Sequence, residues 1–237
     1  RYWRDWSSDV CSSDLAAAAA AGATIVEDAD VASIEGDAGD FRLHLRDGRA
    51  VRAAIVVHCT STLARSLDGS GLLTRTVFPF RGQIVATDPL PADVVRQFPP
   101  CAMSSNFCYE YFRVADSRFV IGGKRWSVPG EQLGILDDDG HHPQITENLL
   151  AYVHEHFPVL RGVAFPHLWT GIMAGTPDGL PLVGALPGAP GQFALLAFNG
   201  YGLSFAFLAG RCLAEQIVDG ASAHPAMPLF APRRFAE

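Results

Sequence analysis

The segment with the clearest chemical potential is Asn199-Gly200-Tyr201-Gly202-Leu203, which directly follows the apolar run Phe193–Phe198 and opens a helical pattern. A turn of this kind presents backbone N–H groups at a helix N-terminus, where partial positive charge accumulates. Glycine there removes the Cβ that would hold a ligand off the backbone. The arrangement suits a phosphate, or a ring whose carbonyl edge becomes negative on reduction. Taken alone it is also readable as a plain tight turn, since short glycine motifs are common. Upstream, Trp169-Thr170-Gly171-Ile172-Met173 reads as a strand, and Thr176-Pro177-Asp178-Gly179-Leu180-Pro181 as a turn.

Other chemistry finds little support. Asp137-Asp138-Asp139-Gly140-His141-His142 lacks the spaced ligands of a calcium loop, and adjacent histidines rarely bind one ion, so it reads as a solvated loop and no metal is expected. His154 and His156 are two apart on a helical pattern and face different sides. There is no GxSxG elbow and no phosphate-binding P-loop, which leaves neither a hydrolase nor a nucleotide triphosphatase supported.

The elements that must position these residues follow from composition and pattern. The 237 residues are 49% hydrophobic and 18% charged, enough for one large domain or two modest ones. A net charge of −7 argues against a nucleic-acid partner. With 23 Gly and 16 Pro, the chain reads as turn-rich α/β or α+β. The cysteines at 11, 59, 101, 108 and 212 form no CxxC pair and read as reduced thiols of a cytoplasmic protein. The stretch from Phe193 to Gly210 is apolar but is interrupted at Asn199–Gly202, which fits strand–turn–helix and not a membrane span.

Residues Arg1–Leu15 show no periodicity and no secretory pattern. Asp5–Leu15, DWSSDVCSSDL, resembles the translation of a common sequencing adapter, so residues 1–15 are expected to be a non-native leader and the rest a fragment.

Beyond it, Ala16–Ala21 reads as a helix end stopped by Gly22. Strands are expected at 24–26, 31–35, 41–45 and 51–57, with Asp47-Gly48 turning the last hairpin. Ala54–Val57 lacks polar alternation and is expected to be covered on both faces. Thr60 or Ser61 is expected to cap a short helix through Leu67. Further strands are expected at 81–87, 109–114 and 118–123. Thr146 is expected to cap a helix with Leu149, Leu150, Val153 and Phe157 on its apolar face, and a last helix to span about 202–218.

Taken together, Trp169 with Gly171, then Thr176, Asp178, Leu180 and Pro181, then Gly200 with Gly202, and the ending Pro232-Arg233-Arg234-Phe235 resemble the flavoprotein family of D-amino acid, glycine, sarcosine and γ-glutamylputrescine oxidases. Each motif is loose, but their order and spacing are specific. The resemblance covers nearly everything after Ala16. It implies a partial FAD-binding Rossmann-like domain at 16–76 and 166–237, and a mainly antiparallel β-sheet substrate domain at 77–165.

It further implies oxidation of a C–N bond of a small-molecule amine or amino-acid derivative. Hydride passes to flavin N5, the imine is hydrolysed, and the electrons go on to oxygen or another acceptor. By the same resemblance, Val31, Cys59 and Thr60 lie near the adenosine and pyrophosphate, and Gly171, Asn199, Gly200, Tyr201, Gly202 and Leu203 near the ring. Tyr109, Tyr111, Arg113 and Lys124 are candidates for the substrate side, Tyr to orient an amine and Arg a distal carboxylate. Their plainer reading is ordinary strand residues with solvated ends. The catalytic residues are left unassigned.

Two departures stand out. No GxGxxG occurs anywhere in the sequence, so this stretch alone is expected to hold FAD poorly. Ile172-Met173 stand where glycine and D-amino acid oxidases carry an arginine for the substrate carboxylate, which turns the expectation toward an amine of the γ-glutamylputrescine or sarcosine type. No cysteine lies between Cys108 and Cys212, so the FAD is expected to be non-covalent. A non-catalytic binding or structural α/β protein is the alternative.

Overall fold

The computed structural model describes residues 8–106, 109–222 and 224–236. The first seven residues of the expected leader and Cys108 lie outside them. The chain opens with α1 (Ser8–Ala20) and a turn at Gly22, whose φ of 97° is the left-handed stop expected there. Residues 24–26 are not a strand but unpaired chain, with Ile25 and Val26 exposed and no ladder partner among the described residues.

Strands β1 (Val31–Asp37), β2 (Asp40–Leu45) and β3 (Ala50–Ala53) form a small antiparallel sheet in that order. The turn between β2 and β3 is closed by Gly48 N–H donating to Leu45 O at 3.1 Å and Arg49 N–H donating to Asp47 Oδ1 at 2.9 Å. The single strand expected at 51–57 is instead two, β3 and β4 (Val56–His58). The chain changes sheets between them: Ala54 O accepts from Gly39 N–H, while Val56 N–H donates to Gly191 O. Because β4 is an edge strand, Val57 is 38% exposed, contrary to the expectation of cover on both faces. Residues 61–66 form a short tight helical turn without a side-chain cap from Thr60.

The middle of the chain supplies α2 (Leu72–Thr76), β5 (Phe78–Ala86), α3 (Ala92–Val95), β6 (Met103–Ser105), β7 (Glu110–Ala115), β8 (Arg118–Gly123) and α4 (Pro143–His156). After it come β9 (His167–Gly175), β10 (Leu182–Ala185), β11 (Gln192–Leu196), α5 (Gly202–Asp219) and α6 (Met227–Phe230). Strands β6-β7-β8-β5-β9 make an antiparallel sheet, and β10-β11-β4 a smaller mixed one in which β11 and β4 run parallel. Thus β9, just past residue 165, belongs to the broad sheet through its pairing with β5.

Alternation divides the broad sheet. Val85, Phe119 and Ile121 turn to one face, where Leu149 and Val153 of α4 cover them, with Leu150, Phe157 and Phe112 packed at the margin. Each side chain buried completely in this way contributes about 1.5–3 kcal/mol. Helix α4 begins three residues before the expected cap, with Pro143 in its first turn; Thr146 Oγ1 instead accepts from Gln83 Nε2 at 2.6 Å.

The smaller sheet is covered on both sides of β11. Ala194 and Leu196 join the core with Leu72, Leu73 and Leu182, and Phe193 and Leu195 pack under Ala209 and Leu213 of α5. The expected last helix is therefore found, seated on the strand that precedes it. Among the described residues no helix is long and apolar enough to cross a membrane.

Candidate functional site

The face of the broad sheet turned away from α4 is set by register. Phe80 pairs with Met173, Gly82 with Gly171 and Ile84 with Trp169, while Gly122 lies opposite both Ile84 and Tyr111. Paired residues share a face, so Phe80, Gly82, Tyr111, Gly122, Gly171 and Met173 meet on it. Two glycines make room. A Cβ on Gly122 would fall 2.4 Å from the Tyr111 ring, and one on Gly82 would fall 2.6 Å from Met173 Cε and 3.4 Å from the Tyr111 hydroxyl. Nothing stands within 4 Å of the Cβ position at Gly171, which opens onto free space.

The tip of α5 meets this face. At Gly200 a Cβ would lie 3.7 Å from Met173 Sδ. The turn before it is held in left-handed backbone at Ala197 (φ 59°), Asn199 (φ 53°) and Gly200 (φ 92°), conformations that non-glycine residues keep only when their surroundings fix them. Asn199 does the fixing. Its N–H donates to Ala174 O at 3.1 Å, its Oδ1 accepts from Thr176 N–H at 3.1 Å, and its Nδ2 donates to Ala197 O at 2.8 Å.

Thr176 Oγ1 in turn donates to Leu180 O at 2.7 Å and Asp178 Oδ1 at 3.1 Å, and Arg234 Nε and Nη2 clamp Asp178 at 2.6 and 3.1 Å. The Arg234 guanidinium is the main cause that holds the Asp178 carboxyl below its ordinary range. The scattered motifs at 176–181, 199–202 and 232–235 are thus one hydrogen-bonded unit. Helix α5 starts without a side-chain cap; Ser204 N–H donates to Tyr201 O at 3.1 Å, which leaves the amides of Gly202 and Leu203 for a ligand or water. Tyr201 and Leu203 are exposed beside them.

Cys59 and Thr60 follow the carboxyl end of β4, beside the same end of its parallel neighbour β11, and both are exposed. In open α/β sheets that end is where ligands bind. Val31 stands apart from them at the start of β1, in a different sheet. On β7, Tyr111 is half-buried on the open face; Arg113 is two residues along and exposed. Tyr109, 42% exposed, precedes β7 and packs edge-on to Trp126 at 6.5 Å between centroids.

Lys124 departs from expectation. It sits in a left-handed turn after β8, and its Nζ is drawn 3.1 Å from Glu110 Oε1 and over the Trp126 and Tyr152 rings. Glu110 is completely buried. Burial pushes its carboxyl up, but hydrogen bonds from Asn106, Lys124, Trp126 and Ser105 together outweigh that and hold it below the ordinary range.

Sequence reasoning missed Arg125. Its guanidinium lies 4.7 Å over the Phe80 ring, and its charge acts on the Tyr111 phenol, whose pKa is raised by burial and drawn back by Arg125. It adjoins the expected Lys124, but only the turn after β8 shows which of the two basic residues faces the open side. The aspartate-rich loop is tied down as structure: Arg81 Nη1 donates to Asp137 O at 3.1 Å and Thr170 Oγ1 to Gly140 O at 3.1 Å. Among the described residues no group of three or more His, Cys, Asp or Glu side chains is placed to share a metal ion.

Whether this site fits an FAD ring is decided by its shape. Uncapped amides at a glycine-opened helix tip, a vacant Cβ position at Gly171 and the Met173 thioether between them leave a cradle that side chains at 171 or 200 would fill. The residues present fit the group.

Comparison with known proteins agrees. Residues 8–216 match the family described as DAO, FAD dependent oxidoreductase. The γ-glutamylputrescine oxidoreductase of Escherichia coli (strain K12) is 29% identical over 147 residues, 60% of this chain and 32% of that protein. The glycine oxidase of Geobacillus kaustophilus (strain HTA426) is 25% identical over 230 residues, 97% of this chain and 57% of that protein. The chain therefore spans between about a third and just over half of these relatives. Among solved structures, L-proline dehydrogenase from P. horikoshii superposes with a TM-score of 0.76 at 20% identity, over 92% of this chain and 56% of the other. Iminodiacetate oxidase from Chelativorans sp. BNC1 gives 0.74 at 20% identity, over 94% and 57%. With a family match across most of its length and the same fold, the chain belongs to the FAD-dependent oxidoreductase (DAO) family.

Proposed function

We propose that this chain forms the ring-facing and substrate-facing part of an FAD-dependent oxidoreductase that oxidises the C–N bond of a small amine or amino-acid derivative. The observation that carries it is the uncapped α5 tip abutting Met173 on the open face of the broad sheet. When bound, non-covalent FAD supplies the two-electron acceptor for hydride leaving the carbon beside the substrate nitrogen; the imine is then hydrolysed, and oxygen or another acceptor takes the electrons.

Gly202 and Leu203 direct first-turn amides at the edge that gathers negative charge, Gly200 ahead of the cap keeps the approach to them open, and the helix dipole adds to them. Gly171 leaves room for the ring, and Cys59 and Thr60 stand where the carboxyl ends of β4 and β11 meet the cofactor's phosphates. The structure gives Val31 no direct place in this cradle; its role beside the adenosine rests on the resemblance alone. Tyr111 and Met173 form the wall that positions the amine and keeps water from it. Segments 16–76 and 166–237 serve the cofactor and 77–165 the substrate, with β9 shared between them.

The relatives' names, γ-glutamylputrescine oxidoreductase and glycine oxidase, support an amino compound as substrate. The test is to express the full reading frame that contains this sequence and record its visible spectrum. A flavin band bleached anaerobically by an amine is expected; a folded, colourless product overturns the proposal.

A further inference from the structure

We propose that Arg234 is a positioning residue for the α5 tip. It touches no ligand, and it aims the amides of Gly202 and Leu203 through Asp178, Thr176 and Asn199. What the aim serves rests on the reading that those amides meet the electron-accepting ring.

Arg234 is fully engaged. It lies in a short helical turn, Pro232–Phe235, with its guanidinium 4.6 Å over the Phe235 ring. Beyond the fork on Asp178, Nη2 donates to Leu180 O at 2.8 Å, and Nη1 donates to Phe230 O at 2.8 Å and to Ala231 O at 3.4 Å. Every guanidinium N–H therefore has an acceptor, and the side chain is only 16% exposed.

Arg234 Nη2 and Thr176 Oγ1 share the same two acceptors, Asp178 Oδ1 and Leu180 O. By holding both in place, Arg234 fixes where the single hydroxyl proton of buried Thr176 goes. The hydroxyl oxygen is then left to accept from Asn199 Nδ2 at 3.3 Å, while Thr176 N–H donates to Asn199 Oδ1. These two contacts set which way round the Asn199 amide lies. There is little slack, since a Cβ on Gly175 would fall 3.1 Å from Asn199 Oδ1.

From Asn199 the constraint passes to the helix. Two residues on, Tyr201 N–H donates to Phe198 O at 2.9 Å, and α5 begins at Gly202. The field of a helix end falls off within its first turn, so a small displacement of the tip changes how well its amides stabilise a charge.

The test compares T176V and R234Q with the wild type. Hydrogen exchange is followed in the purified chain, and the potential of the bound flavin in the full reading frame. In both variants the amides of 199–203 should exchange at least ~10-fold faster relative to those of α4, and the potential should move to more negative values. T176V changes no charge, so a matching shift in both variants reports position and not the field of Arg234. T176V combined with R234Q should be no worse than the worse single variant, because both cut one series of contacts. Equal acceleration in α4 and the tip overturns the proposal, as does an unmoved potential or an additive double variant. If R234Q does not fold, R234K replaces it: it keeps the charge and loses the fork, so wild-type exchange at the tip overturns the proposal. Localised acceleration in a protein that never takes up flavin keeps Arg234 as the anchor of the tip and removes the oxidoreductase reading.

Discussion

Arg234 closes a fork on Asp178, with Nε 2.6 Å from Oδ2 and Nη2 3.1 Å from Oδ1. The pair secures the turn whose Thr176 holds Asn199 and, through it, the strained backbone before α5. Replacing Arg234 by Gln should lower stability by about 1–2 kcal/mol, the range of a partly exposed charge-assisted pair, measured by urea unfolding. Because the folded Asp178 carboxyl is held below its ordinary range, its contribution is complete above the unfolded value of about 3.9 and fades as pH falls through the lower folded value. Asp178→Asn should therefore flatten that part of the acid limb; an unchanged acid limb would show that the pair contributes no stability.

Glu110 and Lys124 make a second, buried pair. Glu110→Gln leaves the ammonium with a neutral partner and should cost about 3 kcal/mol. The folded carboxyl is again depressed, so wild-type stability from this group is lost only as pH falls below the ordinary glutamate range, and the variant should lose that dependence. Thermal melts from neutral pH down to about pH 3, below the ordinary glutamate range, read both effects.

Gly122 leaves the space in which the Tyr111 ring lies. Gly122→Ala places a methyl 2.4 Å from that ring and should displace Tyr111 at a cost of about 1–3 kcal/mol. The tyrosine band in near-ultraviolet circular dichroism should change with it, whereas an unmoved band and melt would mean the sheet absorbs the methyl.

Gly200, at φ 92°, holds a conformation an alanine rarely adopts. Gly200→Ala should destabilise by about 1–2 kcal/mol through backbone strain and should reduce flavin retention in the full reading frame more than its melt predicts. Equal retention in wild type and variant would separate the tip from cofactor binding.

Most elements were legible because their causes are local. The Asp47-Gly48 turn marked the β2–β3 hairpin, the apolar run marked β11, and Gly202 marked the start of α5. What was not legible depended on distant partners. The break between β3 and β4 comes from hydrogen bonds to Gly39 and Gly191, which no window around Ala54 contains. Thr146 looked like a cap because its real partner, Gln83, is 63 residues away. In the candidate site, the turn at 199–203 stood out by its glycines, and Tyr111 and Met173 were singled out through the resemblance; that they share one face follows from sheet register. Which of Lys124 and Arg125 meets the open face was not legible, because a single left-handed residue, Lys124 at φ 57°, turns one side chain toward buried Glu110 and its neighbour over Phe80.

Strand β9 runs along the open face of the broad sheet from Trp169 to Met173 and ends past Ala174; there and at Thr176, just beyond the strand, Asn199 is fastened. One continuous beam thus ties the open face of the broad sheet to the anchor of the α5 tip, the two surfaces to which the function proposed above assigns substrate and cofactor. Their spacing is built into a ladder of sheet hydrogen bonds between β5 and β9, so a change of side chain on that face leaves the distance between the two surfaces intact.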